Sequence, residues 1–199
     1  MKSVNIACLV TILFAAALSF SCASTGGDAV TNEGYRWNFA DPGAGTAGWT
    51  TAPDEFWDFK GTIDLSRDDT FLGRPMLRVD VDFSGDVGSW WSEPKLKYDF
   101  DETFELRGLN RFAFDMYFNP RNATAGSFKG KVIFLYNTGT VLEAELDSIL
   151  ATEEAGDYLK ASVVFRFRST RSINSLRLGI VGAVTDYKGP IFIDNLRLE

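Results

Sequence analysis

Two adjacent tryptophans, Trp90 and Trp91, are the residues of this sequence best suited to binding another molecule. On a strand, neighbouring side chains point to opposite faces, so the two indoles cannot share one core. Counting back from Phe100 through Tyr98 and Leu96 in steps of two groups Trp90 with the apolar set. The same count puts Trp91 with Glu93, Lys95 and Lys97 on the polar side, unless Pro94 marks a bulge that shifts the parity. A flat ring on a polar face suits a pyranose. The sugar's axial C–H groups meet the negative π face while nearby Asp, Arg, Asn and Lys side chains bind its hydroxyls. The plainer role is an edge tryptophan packed under a loop. Trp49 follows a glycine-rich loop, Asp41 to Gly48, and either rims such a platform or plugs the end of the fold. Trp57 alternates with Phe59, Ile63 and Leu65, which favours a core position over ligand contact, and Trp37 reads as core.

Hydrolytic chemistry has little support. Histidine is absent, which removes Ser-His-Asp and Cys-His nucleophile systems and histidine metal sites. A glycosidase needs two carboxylates about 5–10 Å apart across a cleft. The i, i+2 pairs on offer are Glu143/Glu145 and Asp80/Asp82. The first lies in a poorly patterned segment, and the second sits on a polar strand face as solubilising charge. The chain is therefore read as a non-enzyme without a catalytic cofactor. A net charge of −7 argues against nucleic acid as a partner, since phosphate binding wants a basic surface, and against electrostatic adhesion to anionic lipid. Asn122-Ala-Thr124 fits the glycosylation pattern and is read as coincidence.

Short alternating strands must position these residues. Tyr35 to Phe39, Phe56 to Leu65, Leu77 to Phe83 and Phe112 to Phe118 each alternate apolar and polar, as do Leu159 to Phe167. Lys131 to Tyr136 alternates little, as a strand covered on both faces would. Glu143 to Glu154 has helix-forming composition and is expected to be a helical turn or an irregular crossover. Nine or ten strands at short spacing, without a βαβ rhythm, predict a single all-β sandwich domain.

The chain closes on Asp186-Tyr-Lys-Gly-Pro-Ile-Phe-Ile-Asp-Asn-Leu-Arg-Leu198. Gly189-Pro190 is a turn signal, and the alternation of the apolar residues that follow slips at Asp194-Asn195, as an extra, bulged residue would cause. Ile173, Leu176, Leu178, Ile180 and Val181 form the strand upstream, so the two are expected to pair as a hairpin. This wording resembles the C-terminal strands of jelly-roll carbohydrate-binding modules of the galactose-binding-like type, most closely the mannan-binding family 27 modules of β-mannanases. The first strand, glycine-rich turn and Gly48-Trp49 are similar to the way those modules begin.

The resemblance implies a jelly-roll β-sandwich of two antiparallel sheets over residues 35–199 and non-catalytic binding of β-mannan or a related β-glycan. It also implies three tryptophans on or beside one concave sheet face. Trp49, Trp57, Trp90 and Trp91 supply counterparts for two of them; no tryptophan follows residue 91, so Tyr136 or Tyr117 would stand in for the third. A structural calcium is implied too, held by Asp194 and an acidic residue near the end of the first strand, where Asp41 stands beside Ala40. Calcium takes several oxygen ligands, so Asp68 and Asp69 would have to converge on the same point. Otherwise Asp194-Asn195 satisfies local backbone groups. The alternative to glycan binding is a structural or protein-interaction lipoprotein that keeps the fold without a sugar site.

Residues 1–22 read as a signal peptide, with Lys2 as a positive n-region and an apolar run from Ile6 to Leu18 too short for a comfortable span. The ending Leu18-Ser-Phe-Ser-Cys22 resembles a bacterial lipobox, with an ordinary cleavage site near Ser21 or Ala23 as the other reading. Lipidated at Cys22, the chain would be held on a membrane surface of the cell envelope, at its periplasmic or extracellular face. Residues 23–34 are small and polar and read as a flexible tether. The only other cysteine, Cys8, lies in the signal region, so the folded part has no disulfide or cysteine-metal site.

Overall fold

Alternation builds most of the sheets. Leu77, Val79 and Val81 point inward from one strand and Phe112, Phe114 and Met116 from another, all 4% exposed or less. A computed structural model describes residues 33–199. The expected signal peptide, Cys22 and all but the last two residues of the tether lie outside the described residues.

Among those, twelve strands occur: β1 Tyr35–Arg36, β2 Thr50–Thr51, β3 Thr62–Asp68, β4 Met76–Asp82, β5 Lys95–Glu105 and β6 Arg111–Phe118, then β7 Ser127–Tyr136, β8 Val141–Ile149, β9 Glu153–Ala155, β10 Tyr158–Arg166, β11 Ser172–Ala183 and β12 Lys188–Leu198. They form two antiparallel sheets. The seven-stranded sheet runs β3-β4-β12-β6-β10-β9 with β1 also on β12, and the five-stranded sheet runs β2-β5-β11-β7-β8. The chain is thus the expected all-β sandwich. Leu176, Leu178 and Ile180 of β11 and Val132 and Phe134 of β7 meet the β4 and β6 residues between the layers. Burying such side chains contributes about 1.5–3 kcal/mol each.

Two expectations about the strands need correction. Glu143 to Glu154 is not helical: it supplies most of β8 and begins β9. Leu142, Ala144 and Leu146 pack against the core while Glu143 and Glu145 face out, so period-two burial overrides helix-forming composition. The last two strands are not a hairpin either. β11 pairs with β5 and β7, and β12 with β4 and β6, so the chain crosses between the layers at Val184 to Tyr187. The slip at Asp194-Asn195 is a bulge: the β12–β6 register shifts between Asp194 and Arg197, with Asn195 at φ 53°. Asparagine tolerates that left-handed conformation, and its Nδ2 donates to Asp115 Oδ2 at 2.7 Å.

Candidate functional site

The outer face of the five-stranded sheet is where the tryptophans and charges meet. Core residues on β5, β7 and β11 alternate with Lys95, Lys97, Lys129, Lys131 and Arg177, and Gly179 stands opposite both Lys95 and Lys131. Beyond the start of β5 the strand path continues as two isolated bridges. Ser92 pairs with Gly182, and Glu93 with Trp57, through Trp57 N to Glu93 O at 3.0 Å and Glu93 N to Trp57 O at 2.8 Å. Trp91, two residues before Glu93, rises on the same side. The result is a groove of about 330 Å³ lined by Trp57, Trp91, Glu93, Lys95, Lys131 and Glu145.

Glu93 organises the floor. It is only 2% exposed, and its Oε2 accepts from Trp91 Nε1 at 2.6 Å. Its buried Oε1 lies 3.1 Å from Lys95 Nζ as an ion pair. Room for the carboxylate comes from Gly179, where a Cβ would stand 3.2 Å from Glu93 Cγ. Lys131 reaches Glu143 at 3.1 Å and Glu145 at 3.3 Å. Burial alone would lower its pKa, but the bond to Glu143 and the charge of Glu93 outweigh this and hold the ammonium above its usual 10.5. Fixed charges and flat rings in one groove can bind a polyol from both its hydroxyls and its C–H face.

The six aromatic residues weighed for a ligand fall in different places. Trp57 is 67% exposed and so is not core: Asp58, at φ 44°, breaks the alternation that would have carried it inward with Phe59 and Ile63. Trp91 keeps the expected parity with Glu93 and Lys95. Trp90 does not follow the apolar set; it sits in a bend before the bridged residues, is 69% exposed, and carries the Lys129 ammonium 3.7 Å from its ring centroid. Trp49 plugs the fold rather than rimming a platform. It is 1% exposed, between Trp37 at 5.3 Å and Tyr98 at 5.7 Å. Tyr136 is likewise interior, its hydroxyl donating to Ser169 Oγ at the far end of β7. Tyr117 is buried on the outer face of the other sheet, under Phe71. Neither tyrosine can replace a third tryptophan in the groove.

The calcium donors are not assembled. Asp194 pairs with Arg74 at 3.2 Å, Asp41 Oδ1 accepts from Gly43 N, and Asp68 accepts from Thr70 N and Phe71 N. No group of three or more His, Cys, Asp or Glu side chains able to hold a metal ion occurs among the described residues. The carboxylate pairs weighed for hydrolysis are also engaged: Glu143 and Glu145 with Lys131, Asp80 with Arg78 and Asp82 with Lys188.

Sequence reasoning missed Lys129, Lys131 and Gly179, and weighed Glu145 only as a hydrolytic carboxylate. The alternation of Phe128, Gly130 and Val132 with Lys129 and Lys131 was the available signal.

The family model described as Carbohydrate binding module 27 matches residues 53–199. No curated protein matches the chain in sequence. Among solved structures, a Caldicellulosiruptor saccharolyticus CBM27-1 in complex with mannohexaose superposes with a TM-score of 0.62 at 20% identity, over 84% of this chain and 97% of that one. TmCBM27, described for specific mannan recognition, gives 0.59 at 21% identity over 82% and 94%. A CBM28 specific for non-crystalline cellulose gives 0.61 at 18% identity over 76% and 88%. At these identities the superpositions establish a shared fold, the jelly roll of those modules.

Proposed function

This chain belongs to the carbohydrate binding module 27 family, a family of non-catalytic carbohydrate-binding modules, and from that membership we propose that it binds β-mannan, or a related β-glycan, in the groove between Trp57 and Trp91. The observation that carries the reading is the exposed Trp57 ring, joined by a backbone bridge to Glu93, whose carboxylate in turn orients Trp91. A pyranose lying between the two indoles would find Lys131 and Glu145 beside it as donor and acceptor. The mannan preference takes its support from relatives, one solved with mannohexaose and one described for mannan recognition. The cellulose-specific relative keeps β-glucan as the comparison ligand. Lipidation at Cys22 would place this binding, without turnover, at a cell-envelope surface.

The experiment is tryptophan fluorescence during titration with soluble mannan and soluble glucan. Mannan should shift or quench the emission, and Trp57→Ala and Trp91→Ala should each abolish most of the response. A wild-type protein indifferent to every glycan would leave the protein-interaction role as the better account.

A further inference from the structure

The cations beside the groove each have a carboxylate. Lys95 has Glu93, Lys97 has Asp99, Lys131 has Glu143 and Glu145, and Arg177 has Glu55 and Asp99. Lys129 is the exception. The residue is only 6% exposed overall, its ammonium lies 3.7 Å from the Trp90 ring centroid and 5.5 Å from that of Trp91, and it has no ion pair or hydrogen bond among the described residues. The ring faces attract the ammonium, but they supply no hydrogen-bond acceptor and no counter-charge.

We propose that the Trp90–Lys129 pair, beside the groove and next to its Trp91 wall, is a subsite for a sugar residue bearing a single carboxylate, which the Lys129 ammonium pairs while the exposed Trp90 ring flanks it. The proposal rests on the glycan-binding reading above and narrows its ligand to an acidic chain, such as one carrying a uronate. A monoanion fits better than a phosphate. One unpaired ammonium balances one negative charge and leaves the surplus of a dianion unmatched. A neutral sugar would satisfy the donors of Lys129 but leave its charge unmatched.

The discriminating ligands are mannohexaose and the same hexaose with one terminal mannuronate, prepared with the acid at either end and tested separately. They differ in a carboxylate and little else. Calorimetric titration of the full chain at about 50 mM salt should show at least one acidic hexaose binding roughly tenfold tighter than the neutral one. That ratio should shrink towards one near 1 M salt, where the screening length falls to about 3 Å. Lys129→Met, checked for folding by circular dichroism, should abolish the ratio whatever it does to neutral binding. If the wild-type protein binds mannohexaose with no preference for either acidic form, or if the preference survives in Lys129→Met, this subsite is refuted and the neutral-glycan reading stands. If the wild-type protein binds none of the three, both readings fall together. The salt series on the wild-type chain decides the matter even if the variant does not fold.

Discussion

The indole Nε1 of Trp91 donates to Glu93 Oε2 across 2.6 Å, so a buried carboxylate fixes the plane of a partly buried ring. Hydrogen bonds to charged groups are the stronger ones, worth about 1.5–3 kcal/mol. This one ties an aromatic wall of the groove to its floor. Glu93→Gln keeps an acceptor for the indole but removes the charge that Lys95, 8% exposed, relies on. The expected result is a glycan affinity roughly tenfold lower and an unfolding free energy about 1–3 kcal/mol smaller, read by calorimetric titration and urea melts. Unchanged affinity would mean that the carboxylate does not face the ligand.

Trp57 and Trp49 should separate binding from stability. Trp57→Ala removes a ring that is 67% exposed, so stability should move by less than about 0.5 kcal/mol. Affinity should fall up to about tenfold, since stacking contributes ~0.5–1.5 kcal/mol beyond burial. Trp49→Ala empties a site that is 1% exposed and should cost about 3–5 kcal/mol of stability. Denaturation and titration of the two variants side by side check this. A Trp49→Ala protein as stable as the parent would contradict the packing described.

Gly179 offers a subtler probe. Its backbone is not left-handed, so alanine brings a contact rather than strain. The new methyl would stand 3.2 Å from Glu93 Cγ and 3.4 Å from Lys131 Cβ, and Glu93 is held by Trp91 and Lys95. Overpacking of this kind costs about 1–3 kcal/mol. Gly179→Ala should weaken glycan binding several-fold, measured by the same titration, and Gly179→Ala combined with Glu93→Gln should lose less than the sum. Strict additivity would show that the two residues do not touch.

The sandwich was legible wherever one face of a strand is buried. Leu77-Val79-Val81 and Phe112-Phe114-Met116 announce their inner faces through period two, and the Asp194-Asn195 bulge shows as a slip in that period. Sheet membership was not legible. β11 and β12 are neighbours in sequence with equally apolar strands, and nothing local says that Val184 to Tyr187 crosses the core instead of turning back within one layer. The tryptophans show the same limit. Parity placed Trp91 beside Glu93, but it failed at Trp90, which lies in a bend, and at Trp57, where Asp58 adopts φ 44°. Alternation holds only while the backbone stays extended, and binding residues sit where it does not.

Acid sensitivity should trace in part to Asp82. Its carboxylate accepts from Lys188 and from Ser84 N, and it is held from the usual 3.8 down to about 2, chiefly by Lys188. Lys188 and Asp82 are register partners, so the pair joins the start of β12 to the end of β4. A folded value below the unfolded one stabilises the protein above pH 3.8, and that contribution disappears as pH falls from about 4 to about 2. Lys188 is 70% exposed, so screening limits the gain to no more than about 1 kcal/mol. Asp82→Asn should therefore unfold at lower urea than the parent at pH 6, with the two curves converging near pH 2. A gap of the same size at both pH values would mean that Asp82 acts through packing and not through its charge.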